Sequence, residues 1–180
     1  MGYKTWRSIE MTLDPKSIKQ ALKEIEECKR QLTAALEDLV RKLADQGAQV
    51  AKMQVASFDA VDSGELENSI YGYYDPESRI GYVIAGAPHA FYVEYGTGII
   101  GAIEQHPLAA EAGWQYMVGE HIKQGPGGHI GWWYDKSSDG VFSGSGDYHW
   151  TRGQPARPFM YNTFIWLQEA AEALGRNIFT

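Results

Sequence analysis

The stretch Ala90-Phe91-Tyr92-Val93-Glu94-Tyr95-Gly96-Thr97-Gly98 divides the chain into two unlike parts. Three aromatic residues and a valine surround one carboxylate, and the run stops at glycine. A lone carboxylate in such company is either exposed or paired, because an unpaired charge among apolar side chains carries a large desolvation cost. Gly96 suits a backbone turn at positive φ, and the Thr97 hydroxyl suits a bond to nearby backbone. Glu94, Tyr95, Gly96 and Thr97 are therefore expected to form a structural corner. The alternative at this stage is a turn with an exposed glutamate.

Upstream, two runs of strand formers flank a turn. Asn68 to Tyr74 and Ile80 to Gly86 bracket Asp75-Pro76-Glu77-Ser78, where the fixed φ of proline fits a turn position. This predicts an antiparallel hairpin. Asp62-Ser63-Gly64 is a further turn cluster. Before it, apolar residues recur in steps of three and four at Ile18, Leu22, Ile25, Leu32, Leu36, Leu39, Leu43 and Val50, with Ala21, Ala35, Val40 and Ala51 widening the stripe. That is one face of a long helix, begun by an Asp14 cap and by Pro15, whose missing N–H costs nothing at the first helical position. The opposite face pairs Glu26 with Arg30, Glu37 with Arg41 and Asp38 with Lys42 at the favourable spacing. Gly47 is the expected break or bend. An ordinary core face is the expected role of the stripe, with a coiled-coil partner helix as the alternative. Alternation from Ser8 to Leu13 predicts a short strand ahead of the helix.

Downstream, a helical turn or two is expected between Pro107 and Val118. Residues 119–153 then change character: repeated glycines separate Trp132-Trp133-Tyr134, Phe142 and Tyr148-His149-Trp150. Short strands around mobile tips, or a loop ordered by a partner, both fit. Ser137-Ser138-Asp139-Gly140 suits a hairpin turn between Trp132 and Phe142. Gln154-Pro155-Ala156-Arg157-Pro158 is rigid and extended. Pro158 opens a second helix, with Met160, Phe164, Leu167, Ala171, Leu174 and Ile178 on one face and Gly175 fraying its end.

A length of 180 residues with 44% apolar content predicts one domain spanning residues 1–180, with 119–153 as an insertion within it. The aromatic share of 13% suits interface work as well as a core. Cys28 is the only cysteine, no signal-peptide pattern opens the chain and no long apolar segment interrupts it; a soluble protein of a reducing cytoplasm, away from membranes, is expected. Between Asp59 and Trp150 there are 13 acids against Arg79, Lys123 and Lys136. Such a field repels phosphate backbones and argues against sequence-specific nucleic-acid binding, though DNA can slide past an acidic surface.

No catalytic constellation stands out. The five histidines show no metal-ligand spacing, Cys28 follows two acids that disfavour thiolate, and the glycine clusters lack the lysine of a phosphate loop. No enzyme activity, cofactor or metal is expected. The rival reading is a carbohydrate-binding or glycoside-hydrolysing protein that stacks sugars on Trp132, Trp133 and Trp150 and uses Glu94 as acid, with Glu104 or Asp135 as its partner. A chaperone or adaptor is a second rival.

Three segments resemble the tail-component and head–tail joining (tail completion) proteins of long-tailed bacteriophages and prophages. Ser63-Gly64-Glu65-Leu66-Glu67-Asn68-Ser69-Ile70 is similar to the family's lead into its first strand. Pro88-His89-Ala90-Phe91-Tyr92-Val93-Glu94-Tyr95-Gly96-Thr97 is similar to its most recognisable motif. Ala156-Arg157-Pro158-Phe159-Met160 resembles the element before its closing helix. Two features depart from the family: Asn162-Thr163 replaces a proline and alanine, and the span from Thr97 to Arg157 is longer, so the aromatic insertion inherits no role. The resemblance implies an α+β fold, with the long N-terminal helix and a C-terminal helix packed on a small curved antiparallel sheet. It further implies a non-enzymatic virion protein, made in the host cytoplasm. Such a protein forms a homo-oligomeric ring against neighbouring head-connector and tail proteins; the acidic middle of this chain is expected to face a DNA conduit through such a ring. Glu94, Tyr95, Gly96, Thr97, Arg157, Pro158, Phe159, Trp132, Trp133 and Trp150 are the structural or subunit-interface candidates, and Glu94 is expected to pair with Arg157 or with a neighbouring subunit.

Overall fold

The computed structural model describes residues 12–58, 64–117, 122–135 and 148–179. The fold is α+β. Its elements in order are α1 (Pro15–Ser57), α2 (Glu65–Asn68), β1 (Ile70–Asp75), β2 (Ile80–Ala85), α3 (Ala90–Tyr95) and α4 (Gly98–Ile103). Then follow β3 (Lys123–Gln124), β4 (Ile130–Asp135), β5 (Tyr148–Thr151), β6 (Gly153–Gln154) and α5 (Phe159–Phe179). The strands make two separate sheets, β1-β2 and β3-β4-β5, where a single curved sheet was expected. Of the strand expected at residues 8–13, all but Thr12 and Leu13 lie outside the described residues. Those two lie outside any strand.

The chain falls into two compact units. The first holds α1 up to Val50, the β1-β2 hairpin from Tyr71 to Ile84, and α5 from Phe164 onward. The part of α1 within it, from Pro15 to Val50, extends roughly 54 Å. The helix begins where sequence placed it: Asp14 Oδ1 accepts the N–H groups of Lys16 and Ser17, each at 3.0 Å. Gly47 does not break it. A Cβ there would stand 2.7 Å from Val83 Cγ2 and 3.2 Å from the Leu167 methyls, so the glycine makes room for β2 and α5. Gly72 and Gly81 bring the hairpin backbone equally close to Ala44 and Val40. The helix interior loses about 1 kcal/mol at a glycine, which this close packing offsets.

Of the three charge pairs expected on α1, Asp38–Lys42 forms at 2.6 Å. Arg30 turns instead to Glu27, Arg41 lies 4.0 Å over the Tyr74 ring, and Glu37 meets Arg79 of the hairpin turn at 3.5 Å. The hairpin turn is as expected, with Asp75 Oδ1 accepting the Glu77 N–H. Helix α5 continues through Gly175 to Phe179, where fraying was expected; the helix's own hydrogen bonds tolerate one glycine near its end.

The second unit comprises residues 51–70 and 85–163. Its core holds Val55, Leu66, Ile70, Val93, Phe159 and Thr163. Between His106 and Trp114 the chain makes hydrogen-bonded turns, Ala112 N–H to Leu108 O at 3.0 Å among them, rather than a continuous helix. Strand β4 pairs with β5 in the register Trp132↔Thr151, Trp133↔Trp150, Tyr134↔His149. The hairpin therefore spans more chain than the expected Trp132–Phe142 pairing. Phe142, Asp139 and the turn at Ser137 lie outside the described residues, as do Asp62 and Ser63.

Candidate functional site

The corner after α3 is held by hydrogen bonds to segments distant in sequence. Gly96 has φ 77° and ψ 171°, a combination reserved for glycine, and Gly98 has φ 62°. Between them Thr97 is extended and bridges to Gln154, while Gly98 bridges to Gly153. The Thr97 hydroxyl accepts the Gln154 N–H at 3.3 Å, a partner distant in sequence rather than nearby. A Cβ on Gly96 would lie 2.6 Å from Ala156 N, and one on Gly98 would strike Arg152 O. Glycine is needed at Gly96 and Gly98 both for conformation and for backbone contact.

Glu94 points into this corner, 7% exposed. It does not pair with the Arg157 side chain. Its Oε2 accepts the Met160 N–H at 2.8 Å, and its Oε1 accepts the Tyr161 N–H at 2.9 Å. Those N–H groups belong to the first turn of α5 and have no partner within that helix. A carboxylate there also meets the positive end of the helix dipole. Glu94 thus caps a helix that begins more than sixty residues later. Arg157 contributes its backbone instead, donating its N–H to Val93 O at 2.9 Å.

The third partner is His106, 4% exposed, whose Nε2 lies 3.0 Å from Glu94 Oε1. His106 Nδ1 accepts the Leu108 N–H at 3.0 Å, so this nitrogen carries no proton and the proton sits on Nε2, donated to Glu94. Glu94 consequently accepts from three donors as a carboxylate beside a neutral imidazole. Tyr95 lies against the imidazole with ring centroids 4.3 Å apart, and Tyr161 meets it edge-on at 5.5 Å. Trp114 stacks on Tyr95 at 4.9 Å and donates its indole N–H to Gly96 O at 3.1 Å. The Tyr116 hydroxyl accepts the His106 N–H at 3.0 Å.

This arrangement satisfies polar groups and leaves none of them presented to a substrate. A general acid or base must be reached by its substrate, and the Glu94 carboxyl is buried and engaged by three donors. Glu104 is exposed, and its carbonyl accepts the Ala156 N–H at 3.0 Å. Among the described residues no group of three or more histidine, cysteine or acidic side chains is placed to hold a metal ion, and no helix is long and apolar enough to cross a membrane.

The remaining candidates separate by position. Phe159 is fully buried at the start of α5, directly after Pro158. A Cβ on Gly98 would come within 2.8 Å of the Trp132 ring, so Trp132 packs the insertion onto the corner. Trp150 covers Gly125 and Gly131, whose missing side chains make the space. Trp133 meets Trp150 edge-on at 5.4 Å and is exposed. Of the three tryptophans, Trp133 is the most exposed, and Trp132 and Trp150 are half-buried. Sequence reasoning missed His106, Trp114 and Tyr116, since no spacing relates them to Glu94 before the chain folds.

Comparison with known protein families, with curated proteins and with solved structures found no match.

Proposed function

We propose that this chain is a structural protein of a tailed phage or prophage particle, acting without catalysis in a ring at the head–tail junction or tail end. One observation carries the reading: the three segments that resemble the tail-completion family are joined by hydrogen bonds inside the second unit. The Ser69 hydroxyl accepts the Ala87 N–H at 3.0 Å, and Ser69 O accepts the Gly86 N–H at 3.2 Å, tying the first segment to the two residues that lead into the second. Val93 O and Glu94 then hold Arg157, Met160 and Tyr161, tying the second to the third. Motif residues spent on mutual support point to architecture rather than to chemistry.

Exposed aromatics supply contact surface for neighbours. Phe91 and Tyr92 on α3 face outward in the second unit, and Tyr71, Tyr73 and Tyr82 do so on the hairpin of the first. Aromatic side chains are enriched at interfaces, and a ring subunit needs two different faces that close on each other.

The test is electron microscopy of particles from a phage or induced prophage lacking this gene. Filled heads beside separate tails are the expected result for a joining role, and tails of uncontrolled length for a terminating role. Normal infectious particles would sink the proposal.

A further inference from the structure

The apolar face of helix α1 has different fates at its two ends. From Val40 onward it packs within its own unit, against Gly81, Gly72, Val83 and Leu167. Toward its N-terminus the stripe remains open: Ile18 is 37% exposed, Leu22 57% and Ile25 52%. These residues belong to a run in which Ile18, Leu22, Ile25, Lys29, Leu32, Leu36, Leu39 and Leu43 alternate steps of four and three. That spacing keeps one seam facing a second helix. A shallow depression borders the strip at Leu22, its other lining residues being Lys16, Lys19, Gln20, Lys23 and Glu26 on the charged flank.

We propose that the N-terminal part of α1 pairs with the same segment of a second copy in an antiparallel two-helix contact, with Leu22 opposite Ile25 of the second copy and Lys19 opposite its Glu26. The charges select this arrangement. A parallel pair would set Lys29 against Lys29 in the seam. It would also set the flanking Glu26 against Ala21, which carries no charge, and Lys19 against Asp14, whose carboxylate is already engaged in capping the helix. An antiparallel pair displaced by one heptad along α1 would set Glu26 against Glu26. The register proposed instead makes the Lys19–Glu26 contact twice, once from each copy. Its flank is open, since Lys19 and Glu26 are both exposed, whereas Ala21 on the other flank is 5% exposed. Lys29 falls at the end of the overlap, opposite Ile18, where its stem covers apolar surface and its ammonium reaches water.

The overlap is short, so the dimer is weak. This contact does not rest on the ring reading, which concerns other surfaces and is tested on particles. Sedimentation equilibrium of the full-length protein from about ten to several hundred micromolar should show a monomer–dimer equilibrium. L22S/I25S should be monomeric throughout, with unchanged circular dichroism because both residues are exposed. E26K should weaken pairing on the order of tenfold, K19E likewise, and K19E/E26K should restore it. A protein that stays monomeric, association indifferent to L22S/I25S, or a charge swap without rescue would each overturn the proposal. Stronger pairing by E26Q would also overturn it, by placing Glu26 against Glu26.

Discussion

Helix α1 and the Glu94 corner hold charge in opposite ways. On α1, Asp38–Lys42 and Glu27–Arg30 lie at the surface, formed by residues three or four apart. At the corner, one carboxylate is buried and accepts from an imidazole 12 residues on and from two backbone N–H groups 66 and 67 residues on. Surface pairs trade one hydrated state for another and contribute little. A buried carboxylate cannot fall back on water, so its partners become obligatory. The first region therefore tolerates change in its charges, and the second does not.

The sharpest way to break this contrast is Glu94→Ala. It leaves the Met160 and Tyr161 N–H groups and the His106 Nε2–H without an acceptor in a buried site, for an expected loss of roughly 4 kcal/mol in urea denaturation. Glu94→Gln should cost about half as much, since the amide keeps one acceptor oxygen but turns a donor toward donors. Asp38→Ala, the counterpart on α1, should change stability by no more than about 0.5 kcal/mol. Equal losses for Glu94→Ala and Asp38→Ala would erase the distinction.

Glycine substitutions come next in size. Gly96→Ala combines a backbone conformation that side chains avoid with a Cβ 2.6 Å from Ala156 N, and should cost about 3 kcal/mol. Gly47→Ala has helical geometry in its favour, worth up to about 1 kcal/mol, against crowding of the Val83 and Leu167 side chains. Its net loss should be about 1 kcal/mol or less. Thermal unfolding of the two variants side by side separates a conformational requirement from a steric one.

The same contrast explains what could be read before folding. Helix α1, its Asp14 cap, the β1-β2 hairpin and the start of α5 are local, and periodicity and turn chemistry find them. The positive φ of Gly96 was also legible, because glycine after an aromatic run has few other uses. The partner of Glu94 was not. Arg157 was the natural candidate by charge, yet the backbone two residues beyond Pro158 offers unbonded N–H groups in a better position. Gly47 misled for a related reason: a helical glycine signals either a bend or a close neighbour, and the neighbours Val83 and Leu167 are set by tertiary packing. His106, Trp114 and Tyr116 carried no signal, since their roles depend on turns after α4 that no repeat or motif announces.

The smallest expected effect is the acid response of α1 at its exposed N-terminus. Asp14 lies below the usual aspartate range, chiefly because the Thr12 hydroxyl and then the Ser17 N–H bond to its carboxylate. Glu27 is drawn down to about 2, first by its hydrogen bonds from Arg30 and then by Gln31. Both groups bind their proton less readily in the folded helix than in the unfolded chain. Their contribution is therefore complete above the ordinary carboxyl range near 4 and fades as pH falls through the lowered folded values. The Lys16 and Ser17 amide resonances report the cap directly. They should shift and lose exchange protection only below about pH 4, whereas Asp14→Ala should abolish that titration and fray the first turn at neutral pH. Protection at Lys16 and Ser17 that survives Asp14→Ala would mean that something other than this carboxylate holds the start of α1.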